Sequence, residues 1–353
     1  MKKKLIVLTC LLGLQANYSQ AQSLNGPESV EYDEVNQRWL ISNNGSGEIL
    51  QRAQDGTLSV FASGISSGPH GLEIVGTSVF ACDGSNLKEY SLSGGVLLNN
   101  VNLGATFLNG ITHDNNGNLF ITDFSAKKIY RYTISSGQFN VYVTGLAKSP
   151  NGIIFDEDDN RLVFVNWGAN APVMAVQLSD STVSTLTATT LGNCDGIAMN
   201  CQNQFYVSSW SPNRISRFEN DFVAAPVNMN VTGLSSPADI YFAQTLDTLG
   251  VPNSGNNTVG LHPFASCLNV GISTEDMEHQ LFSAQLLSST SLIISMTNND
   301  SKMKSIEIVD LSGRMIFQKS TTSNQETIQL HSGLYFVHVT SGDHHQVKKI
   351  MIP

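Results

Sequence analysis

The sequence predicts an all-β chain: a six-bladed β-propeller followed by a small β-sandwich. Three observations predict it. A short apolar motif recurs six times, charged residues are scarce beside abundant Gly, Asn, Ser and Thr, and past residue 264 the repeat gives way to a different run of short strands.

The repeat comes first, because a fixed period of 20–50 residues decides architecture. The six copies are Pro27-Glu28-Ser29-Val30, Pro69-His70-Gly71-Leu72, Leu108-Asn109-Gly110-Ile111, Pro150-Asn151-Gly152-Ile153, Cys194-Asp195-Gly196-Ile197 and Pro237-Ala238-Asp239-Ile240. Their starts are 42, 39, 42, 44 and 43 residues apart. Most copies continue into Asp or Asn (Asp33, Asp114, Asp156, Asn200), a turn, and a second apolar strand such as Arg38–Ser42, Asn118–Asp123, Arg161–Trp167 or Gln204–Trp210. Two further strands fit before the next copy, and four antiparallel strands per unit make a propeller blade. Helical repeats would show a 3.6-residue period instead of alternation. The sixth unit has no obvious fourth strand.

Composition agrees. Of 353 residues, 41% are hydrophobic, enough for an ordinary core, and only 14% are charged. Long helices with Lys- and Glu-rich outer faces are thereby disfavoured. Lys2 to Lys4, the apolar run Leu5 to Leu14 and Ser19-Gln20-Ala21 read as a signal peptide over residues 1–21. That run is too short to span a bilayer, and Cys10, preceded by Thr9, is a poor lipidation site. Removing residues 1–21 takes three Lys and no acid, so the net charge of −10 becomes −13. Such a chain has no basic cluster for nucleic acid or anionic membrane, and no stable membrane insertion is expected. None of Cys82, Cys194, Cys201 and Cys267 forms a C-x-x-C pair, which disfavours a thiolate zinc site. Cys194 and Cys201 sit roughly 20 Å apart along one strand, too far to bridge; Cys201 with Cys267 is open.

The expected organisation is signal peptide 1–21, propeller 22–264, linker 265–282 and C-terminal domain 283–353. In the last, strands near Leu292–Met296, Ser305–Asp310, Met315–Lys319, Leu334–Thr340 and Val347–Ile352 read as a small sandwich. Ile308-Val309-Asp310-Leu311-Ser312-Gly313-Arg314, Gly333-Leu334-Tyr335-Phe336-Val337 and the closing Lys348-Lys349-Ile350 resemble the C-terminal sorting domain of type IX secretion cargo. The resemblance implies the type IX machinery as a partner, passage through the outer membrane, and a secreted or cell-surface protein.

In a propeller the first strand of each blade lines the channel. Matching positions at its start therefore form a ring: Glu28, His70, Asn109, Asn151, Asp195 and Ala238. The next position is mostly Gly, which suits crowded backbone near an axis. Two carboxylates and two amides at one depth make a hard-cation arrangement, and Ca²⁺, with six to eight oxygen ligands, suits it best. The bland alternative is that Asn and Asp cap turns there. Glu28, Asn109-Gly110, Asn151-Gly152 and Asp195-Gly196 resemble the metal ligands of the senescence-marker, gluconolactonase and luciferin-regenerating family. That resemblance implies a six-bladed propeller whose divalent metal, held by Glu28, Asn109, Asn151 and Asp195, serves lactone hydrolysis. Pro27 before Glu28 departs from that family and looks more like the strictosidine-synthase branch.

Pro69-His70-Gly71 resembles the catalytic His motif of the paraoxonases. Independently, a two-residue hairpin at Gly76-Thr77 pairs Val75 with Ser78 and Ile74 with Val79. Extrapolated, that register sets His70 opposite Asp83, whose carboxylate would then orient the imidazole. Gly64-Ile65-Ser66-Ser67-Gly68 satisfies G-x-S-x-G but lies between blades, without the strand–turn–helix setting of a nucleophile elbow. Gly45-Ser46-Gly47 reads as a hairpin turn. Trp167 and Trp210 fall on the ring's face, where they could stack a ligand or pack between blades.

The leading expectation is a secreted, divalent-metal-dependent hydrolase of a lactone or related ester. Asp195 or His70 would be its general base, with Asp83 behind His70, and its ligand a small lactone, ester or sugar-derived molecule. The alternative is a non-catalytic propeller that binds a glycan or protein around a structural ion. A third reading is a strictosidine-synthase-like or lyase-type enzyme.

Overall fold

The computed structural model describes residues 22–264, 281–288, 291–296, 303–310, 314–331, 333–342 and 344–352. The chain divides into two compact units, Met1–Ala265 and Ser266–Pro353.

The first unit is a six-bladed propeller. Five antiparallel sheets have four strands in sequential order, and the sixth has three among the described residues. The innermost strands are Pro27–Asp33, Leu72–Val75, Leu108–His113, Pro150–Asp156, Gly192–Met199 and Tyr241–Ala243. Each alternates core and channel faces, so the apolar residues of neighbouring blades interdigitate. Phe80, Leu108, Ile111 and Ile121 form one such cluster between blades two and three. The seam between blades six and one is built alike: Val30, Trp39 and Ile41 pack with Ala243, and Tyr241 lies against them. Apolar burial of this kind is the main stabilising term, about 25 cal/mol per Å².

One irregularity recurs at the start of the inner strands. The register slips by one residue between Pro27 and Ser29, between Leu108 and Ile111, between Pro150 and Ile153, and between Cys194 and Ile197. In blade two the regular pairing begins only at Leu72, and the His70 amide donates to Cys82 O at 3.0 Å. A β-bulge re-aims the side chain it carries and ends regular pairing. Here every bulge coincides with a ring position.

The second unit is a β-sandwich. One sheet orders Phe282–Ser288, Ser291–Met296 and Gln325–Gln329; the other orders Met315–Thr321, Lys304–Asp310, Gly333–Ser341 and His344–Ile352. Phe282, Leu292 and Ile294 from the first meet Ile306, Ile308, Val337 and Val339 from the second in one core. The strands Phe282–Ser288 and Gln325–Gln329 were not expected from sequence. The expected signal peptide, residues 265–280 of the expected linker and the Leu311-Ser312-Gly313 turn lie outside the described residues, as do Cys10 and Cys267. The linker's expected last two residues, Leu281 and Phe282, belong instead to the sandwich core, where Phe282 opens a strand. Cys201 is disulfide-bonded, whereas Cys82 and Cys194 are free and buried.

Candidate active site and metal centre

The backbone of the ring is tied from blade to blade. Gly71 N donates to Asn109 O at 2.9 Å and Asp239 N to Glu28 O at 2.8 Å. At three of the other four seams a second-strand hydroxyl makes the tie: Thr122 Oγ1 to Asn151 O at 2.8 Å, Ser208 Oγ to Ala238 O at 2.7 Å, and Ser42 Oγ to His70 O. Thr122 and Ser208 also accept from Gly110 N and Gly196 N, at 2.8 and 2.7 Å. The glycines are steric necessities. A Cβ on Gly110 would stand 2.4 Å from Asn151 O, and one on Gly152 2.6 Å from Asp195 O.

Carbonyls bound sideways leave the ring's side chains for the axis. Asn109, Asn151 and Asp195 are 5%, 2% and 2% exposed. Asn151 Nδ2 donates to Asp195 Oδ1 at 3.2 Å and Cys194 O at 3.4 Å. Spending the amide nitrogen on acceptors leaves Asn151 Oδ1 as the free ligand atom. Glu28 and Asp195 have no Lys, Arg or His partner among the described residues. Burial pushes the Glu28 carboxyl up to about 7. Burial first, then the charges of Glu28 and Asp239, raise Asp195 well above the usual carboxylate range, with smaller opposing hydrogen bonds from Trp210 and Asn151.

A third carboxylate, missed in the sequence, joins them. Asp239 sits where blades two to five carry Gly and blade one Ser29, and it accepts from Ser29 Oγ at 3.0 Å. Burial pushes it up to about 7, and Glu28 and Glu73 add to the shift. The signal was visible: Asp239 breaks the Gly column of the motif.

The structure corrects the pairing of His70 with Asp83. The bulge at Gly71 shifts the register by one, so His70 bonds Cys82 and the extrapolated alignment fails. Asp83 instead accepts from Ser67 N at 2.7 Å and pairs with Lys88 at 2.7 Å. Other blades repeat this arrangement: Asn43 accepts from Asn25 N at 2.7 Å, Asp123 from Thr106 N at 2.8 Å, and Asn253 from Ser235 N at 3.0 Å. Asp83 therefore belongs to a column that fastens the loop entering each inner strand. His70 Nε2 faces Asn44 Nδ2 at 3.0 Å, while Nδ1 is buried without a partner. Burial pushes the imidazole down to about 4, against a smaller upward pull from Asp83, so it is neutral at pH 7. Cys194, beside the ring, has its thiol pushed up to about 12 by burial, which removes it as a nucleophile.

Above the ring runs an arc of half-buried aromatic rings. His70 meets Phe107 at 4.6 Å, Phe107 meets Phe124 at 5.7 Å, Phe124 meets Trp167 at 5.9 Å, and Trp167 meets Trp210 at 4.9 Å, all edge to face. Phe124, Trp167 and Trp210 each follow the residue that pairs with the first residue of their blade's motif copy: Asp123 with Leu108, Asn166 with Pro150 and Ser209 with Cys194. The equivalent positions in blades six, one and two are Ser254, Asn44 and Gly84. The mouth thus has an aromatic half over Asn109, Asn151 and Asp195 and an open half over Glu28.

Residues 288–353 match the family model described as a secretion system C-terminal sorting domain. The chain ends in a secretion sorting domain. Sorting domains of this kind direct type IX secretion, to the cell surface or the medium. No helix among the described residues is long and apolar enough to cross a membrane. For the propeller, solved structures with the same fold include a gluconolactonase from Xanthomonas campestris (16% identity, 65% of this chain and 83% of that one, TM-score 0.56). A calcium-binding protein, regucalcin, from Agrobacterium tumefaciens matches with 16% identity over 66% and 83%, TM-score 0.55. Virginiamycin B lyase from Staphylococcus aureus matches with 17% identity over 78% and 95%, TM-score 0.52. At these identities the likeness establishes the fold. No curated protein matches this sequence significantly.

Proposed function

We propose that the propeller is an exported, divalent-cation-dependent hydrolase of a lactone or related ester, its N-terminal residues 1–21 acting as signal peptide. The observation that carries the reading is a pair of carboxylates, the buried Asp195 and the half-buried Glu28, left without a cationic partner beside the oxygen-bearing Asn109 and Asn151. Buried charge of one sign persists only when paired or coordinated. These four residues fit a hard cation, with Ca²⁺ the ion of choice. The gluconolactonase and calcium-binding regucalcin that share the fold agree with this reading.

A bound divalent cation supplies Lewis-acid polarisation of an ester carbonyl. Asn151, oriented by its bonds to Asp195 and Cys194, would offer its carbonyl oxygen to such an ion. The aromatic arc excludes water on one side and seats the acyl portion of the substrate. Hydrolysis bonds a water oxygen to the carbonyl carbon, breaks the C–O bond to the alcohol, and leaves a carboxylate, an alcohol and a proton. Asp195 is the better-placed proton acceptor, because its carboxylate stands in the ring beside Asn151 and has no cationic side chain against it among the described residues. His70 Nδ1 is sealed from solvent and its Nε2 is against Asn44, which makes His70 a positioning residue.

Elemental analysis of the full chain, followed by a lactone and ester panel read by acid release, tests this. About one divalent ion per chain and turnover that vanishes on chelation are expected. An ion bound without turnover of any lactone or ester would favour a binding propeller, and no bound ion in calcium-replete buffer would sink the proposal.

A further inference from the structure

Below the ring the channel carries a further polar site, which meets the ring only at Asp239. Three residues past the ring, about 10 Å down each inner strand, lie Glu31, Glu73, Thr112 and Tyr241. With Asp239 and His113 they line a cavity of about 240 Å³. Glu31 is only 7% exposed and its carboxylate faces this cavity without a hydrogen-bond or ion-pair partner among the described residues. Glu73 is held at one oxygen by the ring and backbone N–H of His113. No Lys or Arg lines the cavity, and much of the remaining wall is apolar, including Ile111, Ile153 and Ile197.

Excess negative charge, one sealed carboxylate without a partner, and an apolar flank call for a cation with an apolar stem. Glu31, Glu73, Asp239 and His113 are not grouped closely enough to hold a metal ion by themselves, and this cavity has no Asn side chains at the ring depth to add oxygens, so a bare metal is the poorer fit here. An ammonium group spans wider oxygen spacings through its three N–H donors.

We propose that this lower cavity binds an organic ammonium ion bearing an alkyl stem, with the charged head on Glu31, Glu73 and Asp239 and the stem along the isoleucines. Burial, then the charges of Glu73 and Asp239, already raise Glu31 well above the usual carboxylate range, a conflict that an ammonium ion would relieve.

Calorimetric titration of the full chain with n-hexylammonium chloride, 1-hexanol and CaCl₂ tests the site. Saturable binding of one amine per chain is expected, with 1-hexanol weaker by about tenfold or more, since a charge-assisted hydrogen bond is lost. Glu31→Gln should weaken the amine by about tenfold or more while raising the unfolding midpoint of the ligand-free protein, because it removes a buried repulsive carboxylate. Loss of binding together with higher stability excludes misfolding as its cause. No saturable amine binding at millimolar concentration, equal binding of 1-hexanol, or undiminished binding to Glu31→Gln would each overturn the proposal. So would CaCl₂ binding that disappears in Glu31→Gln, which would make the site a metal centre instead.

Discussion

Asp239 and Glu28 close the ring: the Asp239 amide donates to Glu28 O at 2.8 Å across the seam between the last blade and the first. The same two residues are half-buried carboxylates, each raised to about 7 by desolvation. Closure of the propeller and assembly of the acidic centre are therefore one event. That coupling sets the first predictions.

Glu28→Gln and Asp195→Asn should each release the bound ion while leaving the fold intact, since a neutral amide of equal shape removes charge without a cavity. Equilibrium dialysis against ⁴⁵Ca²⁺ reads the loss. Retained stoichiometric binding in both variants would exclude this ring as the metal centre.

The metal-free protein should grow less stable with rising pH relative to Glu28→Gln. The native carboxyl holds its proton up to about 7, whereas the unfolded one loses it near 4.3. Between those values the native state binds more protons, so the Glu28 contribution falls as pH rises through that window. The difference in thermal midpoint, variant minus wild type, should thus widen from about pH 4.5 to 7.5 and collapse when Ca²⁺ is added. A difference independent of pH would refute the raised carboxyl.

Thr122→Val tests the inter-blade tie. The hydroxyl is fully buried and serves both Gly110 N and Asn151 O, so its loss leaves two unsatisfied groups at about 1–3 kcal/mol each. A drop of about 2 kcal/mol or more in denaturant unfolding is expected, together with weaker ion binding because Asn151 loses its anchor. Gly152→Ala should be worse, since its Cβ would stand 2.6 Å from Asp195 O.

His70 and Asp83 should separate cleanly. His70→Gln keeps a polar side chain and should lower kcat/KM by about tenfold without moving the acid limb of the pH profile, as expected of a positioning residue rather than the base. Asp83→Asn should cost stability through Lys88 and Ser67 and leave the pH profile unchanged. A lost acid limb in His70→Gln would return the base to that residue.

The blade count and the ring were legible in the sequence because a propeller repeats one strand program at a fixed period, and identical positions in successive copies must share a depth. The hairpin at Gly76-Thr77 was legible too: Val75 pairs with Ser78 and Ile74 with Val79. Extending that register to His70 failed because alternation carries no mark of a bulge. At this bulge Gly71 N leaves its own sheet for Asn109 O in the next blade. Glu31, Glu73 and His113 were similarly hidden; each is unremarkable on its own strand and becomes a site only beside the other two.

The sequence by itself determined the period, the alternation and the residue types at each depth, since these follow from local backbone geometry and side-chain chemistry. Tertiary structure decided which carbonyls are tied between blades, where the register slips, and which carboxylates share one buried volume. Those are contacts between segments tens to hundreds of residues apart, such as Ser29 with Asp239. No local pattern encodes them, because their energy arises only when the ring closes and water is expelled.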